Sequence, residues 1–212
     1  MSRDSTLTPE PTSVRTSAPR RKPPRPVPPL LQKLFELYPR LFGAKFLPLK
    51  RGVFEDLLAA HPEALPAAEL KVALAVHTRS TRYIEAVASG VPRHDLQATP
   101  VEPVAPEHVH HAILELYKRR GGKSPEQARE RAVAQLTAAI EASGLGREDY
   151  RARFVSADGD IQALVEDALA IVAQKNARRE ALQNAFKASG KTVAEFAQMY
   201  GLDPAEAKAL LQ

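Results

Sequence analysis

The placement of proline and glycine constrains this chain more than any other feature, because it cuts the apolar residues into runs of modest length. Proline fixes φ and lacks a backbone N–H, so it opens helices but breaks them from inside, and glycine tends to close them. The 212 residues contain 18 prolines and 10 glycines. Prolines crowd residues 1–29, where large apolar side chains are few. Such a segment cannot bury enough surface to offset its ordering entropy, so a disordered arm is expected there, extended from Pro23 to Pro29. A folded unit is expected to begin at about Leu30.

From that point the apolar spacing is helical. Leu30, Leu31, Leu34, Phe35 and Leu37 define a first helix that stops near Pro39, followed by an apolar loop over residues 41–50. Val53 to His61 reads as a second helix, ended by Pro62, and Ala67 to His77 as a third, with Pro66 in its first turn. Thr78, Ser80 and Thr81 make a polar break, and either Ser80 or Thr81 suits the cap of the next helix, which Gly90 closes. Residues 91–97 and 101–104 are the one place where two short strands fit. Pro106 opens a helix to about Arg120, broken by Gly121 and Gly122. The rest reads as a separate helical unit. Ser124, Pro125 and Glu126 signal a helix that ends at Gly144, and residues 147–154 add a turn or short helix. Ile161 to Lys187 is one long helix or two joined ones, and residues 191–212 form a pair hinged at Gly201. The expected fold is mainly α, with one short β-hairpin and a C-terminal helical extension.

The formal net charge is +5, unevenly spread: residues 1–29 carry +4, residues 30–120 carry +2 and residues 121–212 carry −1. A short basic tail beside a folded unit suits a polyanionic partner, or serves only as a solubilising tail. Cysteine is absent, which excludes disulfides and thiol chemistry and fits a reducing cytoplasm. Tryptophan is absent too, so stacking on a base would fall to Tyr, Phe, His or Arg. No run reaches the ~20 apolar residues that span a bilayer, and the N-terminus has no signal-like apolar core, so a soluble protein is expected.

No phosphate-binding glycine loop, nucleophile elbow or dinucleotide fingerprint occurs, so no enzyme chemistry is expected. The densest ligand-type cluster is His108, His110 and His111 with Glu107 and Glu115. It lacks the His-Glu-x-x-His pattern of a zinc helix, so polar surface histidines are expected, with no metal and no cofactor. Nucleic-acid binding has more support. Lys45, Lys50, Arg51, Lys71, Arg79, Arg82 and Arg93 are interleaved with His77, Tyr83 and His94. Cations meet phosphates, rings stack on bases, and the helix start at residues 78–81 offers backbone N–H groups to an anion. Ordinary solvated charges are the competing reading.

Four stretches in register resemble one known family: Tyr38 to Phe42 with Pro48 to Leu57, then Leu74 to Tyr83, then Gly90 to Leu96, then Glu107-His108 with His111-Ala112. Over about ninety residues, 30–120, the chain is similar to the ProQ/FinO domain of bacterial RNA chaperones. The resemblance implies binding of structured RNA, small RNAs and messenger 3′ ends, at a terminator-type hairpin with a single-stranded 3′ tail. It implies that Lys50 and Lys71 hold backbone phosphate, Arg51 standing beside them. It further implies that Thr78, Arg79, Ser80 and Thr81 cradle the terminal nucleotides. Tyr83 and Arg93 would line the pocket, and Arg82 would lie near the duplex or support the fold. The competing reading of Tyr83 is a core aromatic and that of Arg93 an ion-pair partner of Asp95 or a neighbouring acid, while Asp95 itself reads as a hairpin anchor. His77 and Ala75 depart from the family pattern, where tyrosine and a basic residue are frequent, and Arg79-Ser80 replaces a Ser-Ser.

The chain beyond residue 120 lies outside the resemblance. Residues 192–206 resemble a helix-turn-helix, but the second helix carries only Lys208 and Gln212 of the residue types that read DNA, so packing is expected instead. Ile161, Leu164, Val165, Ala168, Leu169 and Val172 form an apolar face, against the core or another copy. A protein-interaction adaptor working through these helices is the alternative function.

Overall fold

The computed structural model describes residues 28–122 and 124–211. The expected disordered arm, residues 1–29, lies outside the described residues except for Pro28 and Pro29. The fold is mainly α, as the apolar spacing predicts, with one two-stranded antiparallel hairpin.

The first layer comprises α1 (Pro29–Leu37), α2 (Pro39–Phe42), α3 (Val53–Ala60), α4 (Ala67–Thr78) and α5 (Thr81–Ala88). Prolines set the starts. A residue before proline is pushed out of the α region by the ring, and Pro28 (ψ 134°), Ala105 (ψ 142°) and Ser124 (ψ 81°) each stand outside it immediately before a helix. Tyr38 obeys the same rule: with φ −130° and ψ 62° it separates α1 from α2. The loop expected over residues 41–50 therefore begins as the end of a helical turn, since Pro39 restarts the helix for four residues. Gly43 ends that turn because a Cβ there would stand 2.2 Å from the Pro39 carbonyl oxygen. Leu30, Leu34, Leu41, Phe42, Leu57, Leu70 and Tyr83 are among the residues that fill the core of this layer.

The chain then forms β1 (Arg93–His94) and β2 (Pro100–Glu102), with Arg93 opposite Glu102, and continues into α6 (Pro106–Gly121). Leu49 adds a parallel bridge to His94, which pins the apolar loop to the hairpin.

Beyond α6 come α7 (Pro125–Ser143), α8 (Arg147–Arg153) and α9 (Gly159–Ser189). Of the two readings left open for residues 161–187, a single unbroken helix of 31 residues is what forms. The side chain of Asp158 caps its start, and Gly190 ends it at φ 61°. Val109, Ile113 and Leu116 of α6 share one apolar cluster with Leu136 and Ile140 of α7, Tyr150 of α8 and Leu164, Val165 and Leu169 of α9. The boundary expected near residue 120 thus falls between two helices that pack on each other. Finally α10 (Val193–Tyr200) and α11 (Pro204–Leu211) fold back on α9. Phe196 meets the Phe186 ring edge-on at 5.3 Å, and a capping box of Thr192 and Glu195 starts α10. No described helix is long and apolar enough to cross a membrane.

Candidate nucleic-acid interface

The polar break ends α4 and starts α5 within three residues. Ser80, not Thr81, is the cap: in extended conformation (φ −68°, ψ 146°) its hydroxyl accepts the Tyr83 N–H at 3.2 Å. The N–H groups of Thr81 and Arg82 precede the first intrahelical bond and have no acceptor in their own helix. Thr81, Arg79 and Arg82 are exposed around this end, while Thr78 turns its hydroxyl back to the Leu74 carbonyl at 2.8 Å. A helix start attracts anions by partial charge and by donor geometry.

Tyr83 and Arg93 meet at the peptide groups of Leu49. The buried Tyr83 hydroxyl accepts the Leu49 N–H at 3.1 Å, and Arg93 Nη1 donates to the Leu49 carbonyl at 2.9 Å. Burial pushes the Tyr83 phenol above its ordinary pKa, a shift that the nearby guanidinium opposes. Arg93 also reaches His108 Nδ1 at 3.1 Å and lies 3.9 Å from Glu102, with 14% of its side chain exposed. Its acid is therefore Glu102, its cross-strand partner. Asp95 instead accepts the N–H groups of Gln97 and Thr99, both at 2.9 Å, and closes the hairpin turn.

Lys50 and Arg51 stand on the same edge. The Lys50 N–H donates to the His94 carbonyl at 2.8 Å, and its ammonium pairs with Asp56 at 2.6 Å, which holds its pKa above the usual lysine range. The Arg51 N–H donates to Glu102 at 3.2 Å while 67% of the side chain stays exposed. Arg82 reaches the Ala44 carbonyl at 2.5 Å and lies over the Phe46 ring, 4.7 Å from its centre, so it also fastens the loop. Lys71 sits apart on the exposed face of α4, and no hydrogen bond or ion pair joins it to the others. The structure thus gathers Lys50, Arg51, Tyr83 and Arg93 around one loop and hairpin. Thr78, Arg79, Ser80, Thr81 and Arg82 gather at one helix junction.

Two features were not legible in the residue pattern. Arg119, on the last turn of α6, donates to the Arg79 carbonyl at 2.9 Å and to the Thr81 hydroxyl at 3.2 Å, holding the junction from a distance of about forty residues in sequence. Its signal is weak: basic residues are common in a last helical turn, where they face the negative end of the dipole. His77 is buried, and its ring lies 4.7 Å from Phe42, 4.4 Å from Phe46 and 5.1 Å from Tyr83, with both nitrogens unpaired. Burial lowers its pKa to about 4, so it is neutral here.

The histidine cluster on α6 departs from the expected surface set. His108 and His111 are exposed, but His110 is buried, stacked on Phe154 at 4.2 Å and hydrogen-bonded to the Tyr150 hydroxyl at 2.9 Å. Its position on the face toward α8, one residue from exposed His111, is what the helical period dictates. Among the described residues no three ligand-type side chains converge as a metal site would need.

The α5 start thus combines two N–H groups that have no helical acceptor with exposed arginines next to it in sequence, an arrangement whose chemistry suits an anion. A model of the ProQ/FINO family matches residues 25–130, and the chain belongs to that family. Among its relatives is the RNA chaperone ProQ of Shewanella frigidimarina (strain NCIMB 400), 37% identical over 91 residues, which are 41% of this chain and 45% of that protein. The RNA chaperone ProQ of Shewanella oneidensis is 34% identical over 117 residues, 53% of each chain. That of Shewanella pealeana is 32% identical over 118 residues, 54% of this chain and 53% of the relative. The chain spans about half the length of the curated relatives it matches.

Proposed function

We propose that this protein is a cytoplasmic RNA chaperone that binds structured RNA, a terminator-type hairpin with a single-stranded 3′ end, in post-transcriptional regulation. It acts by equilibrium binding without a covalent step. The observation that carries this reading is the α5 start, where the N–H groups of Thr81 and Arg82 have no acceptor in their own helix and the exposed residues Arg79 and Arg82 adjoin the cap Ser80 in sequence. A terminal phosphodiester and its 3′ ribose present the acceptors that such a start lacks. Lys50, Arg51 and Lys71 would meet the duplex backbone, which is recognised by shape and phosphate rather than by base edges. Tyr83 and Arg93 act chiefly by fixing the Leu49 peptide, so they shape the wall of the 3′ pocket.

The test separates binding from folding. Thr81→Glu places an acid at the first position of α5, where the helix dipole favours it, so the melting temperature should hold or rise. The same acid repels a phosphate, and affinity for a hairpin with a free 3′ tail should fall by about tenfold or more, a loss of ~1.4 kcal/mol. Phosphorylating the 3′ end of the RNA should produce a comparable loss with the unchanged protein. Binding indifferent to both changes and abolished by moderate salt would reduce the interaction to generic charge attraction.

A further inference from the structure

A cavity of about 360 Å3 lies where the start of α5, the end of α6 and the start of α7 meet, lined by Thr81, Arg119, Arg120, Ser124, Gln127 and Arg131. Every charged side chain in that lining is an arginine. Arg119 is held by Glu115 at 2.8 Å and by the α5 junction, and Arg120 pairs with Glu85, so both guanidinium groups are fixed in place by acids that do not line the cavity. Arg131 is different: it is exposed and makes no hydrogen bond or ion pair with any described residue. Ser124 occupies the cap position of α7, yet its side chain makes no capping bond. Its hydroxyl and the first-turn N–H groups of Glu126 and Gln127 are therefore without acceptors within the helix. Two preset cations, one unpaired cation and a 19-residue helix starting uncapped form a cavity that offers donors and lacks acceptor charge.

We infer that this cavity is a second phosphate site, which takes a backbone phosphate of the RNA whose 3′ end is held at α5. The inference rests on the function proposed above, because Thr81 lines the cavity and also stands at the α5 start. Thr81 belongs to both, so a strand held at the α5 start would lie next to the cavity, where Arg131 has no acid partner among the described residues. The site depends on α7, so the helical extension takes part in holding RNA.

Arg131→Gln and Arg131→Glu in the full chain test this, since the side chain is exposed and unpaired and its loss leaves the packing intact. The probe is the hairpin with a free 3′ tail, titrated across salt. One lost phosphate contact should reduce the slope of log affinity against log salt by about 0.7 to 0.9. Arg131→Gln should weaken binding by about three- to tenfold near physiological salt and Arg131→Glu more, with the preference for a free 3′ end unchanged. Unchanged affinity and slope in both variants, with 3′ preference intact, overturn the cavity and leave the proposed function standing. If the unmodified chain shows no 3′ preference, the proposed function falls instead, and inorganic phosphate then decides the cavity. Shifts of the Glu126 and Gln127 amide signals that vanish in Arg131→Glu support it, and their absence overturns it.

Discussion

His77 places a neutral imidazole among Phe42, Phe46 and Tyr83 with no partner for either nitrogen, and that arrangement sets a pH dependence. Its pKa falls from about 6.5 in the unfolded chain to about 4 in the fold, through burial. The fold therefore binds fewer protons than the unfolded chain between those values. The contribution is fully present above pH 6.5 and is lost as pH drops toward 4. For one histidine this amounts to about 3 kcal/mol. His110 behaves alike, lowered to about 4 by burial and then by the nearby His111. Denaturant titrations at pH 7.5 and 4.5 should show the loss, and His77→Leu, similar in volume, should remove about half of it. A loss of full size in that variant would mean that the ring is not sealed. Tyr150→Phe strips His110 of its hydrogen-bond partner and should cost ~1–3 kcal/mol at pH 7.5, measured by the same titration.

Helix ends set stability at the scale of the single element, because their N–H groups have no partner within the helix. Ser80→Ala removes the α5 cap and leaves the Tyr83 N–H unpaired, so stability should drop by about 1 kcal/mol. Because Tyr83 also holds Leu49, amide exchange should quicken in residues 49–50 as well as in α5. Helix starts at Pro106 and Pro125 were legible because the steric rule at proline is local, whereas Pro29 was assigned to the arm and opens α1 instead. The cap was narrowed to two hydroxyls, and the choice of Ser80 over Thr81 needed the backbone angles. The hairpin was placed at the right point but drawn too long, since Asp95 draws residues 97–99 into a turn and leaves two and three paired residues. The turn α2 was missed because four residues contain no period to read.

At the scale of the molecule, α6 contributes Val109, Ile113 and Leu116 to an apolar cluster with α7, α8 and α9, while packing on α5 and the Arg93–His108 hydrogen bond from the hairpin tie α6 to the first layer. Leu164→Ala, at a fully buried site of α9, should cost about 2–5 kcal/mol and be felt by α6 in hydrogen exchange. A chain ended at Gly122 uncovers that face of α6 and should melt at lower temperature than the full chain. Equal melting temperatures would show that the first layer supports α6 unaided. Local rules in the sequence determined the helix content, most helix starts, the hairpin and the family, because period, proline geometry and capping act within a few residues. The tertiary structure alone decided how each cation is held. Lys50 pairs with Asp56 but stays partly exposed, Arg93 is bound to Leu49, and Arg131 has no partner among the described residues. Pairing and burial depend on groups brought together from distant parts of the chain, as when Arg119 closes on Thr81 or three rings close on His77, and no local spacing encodes such meetings.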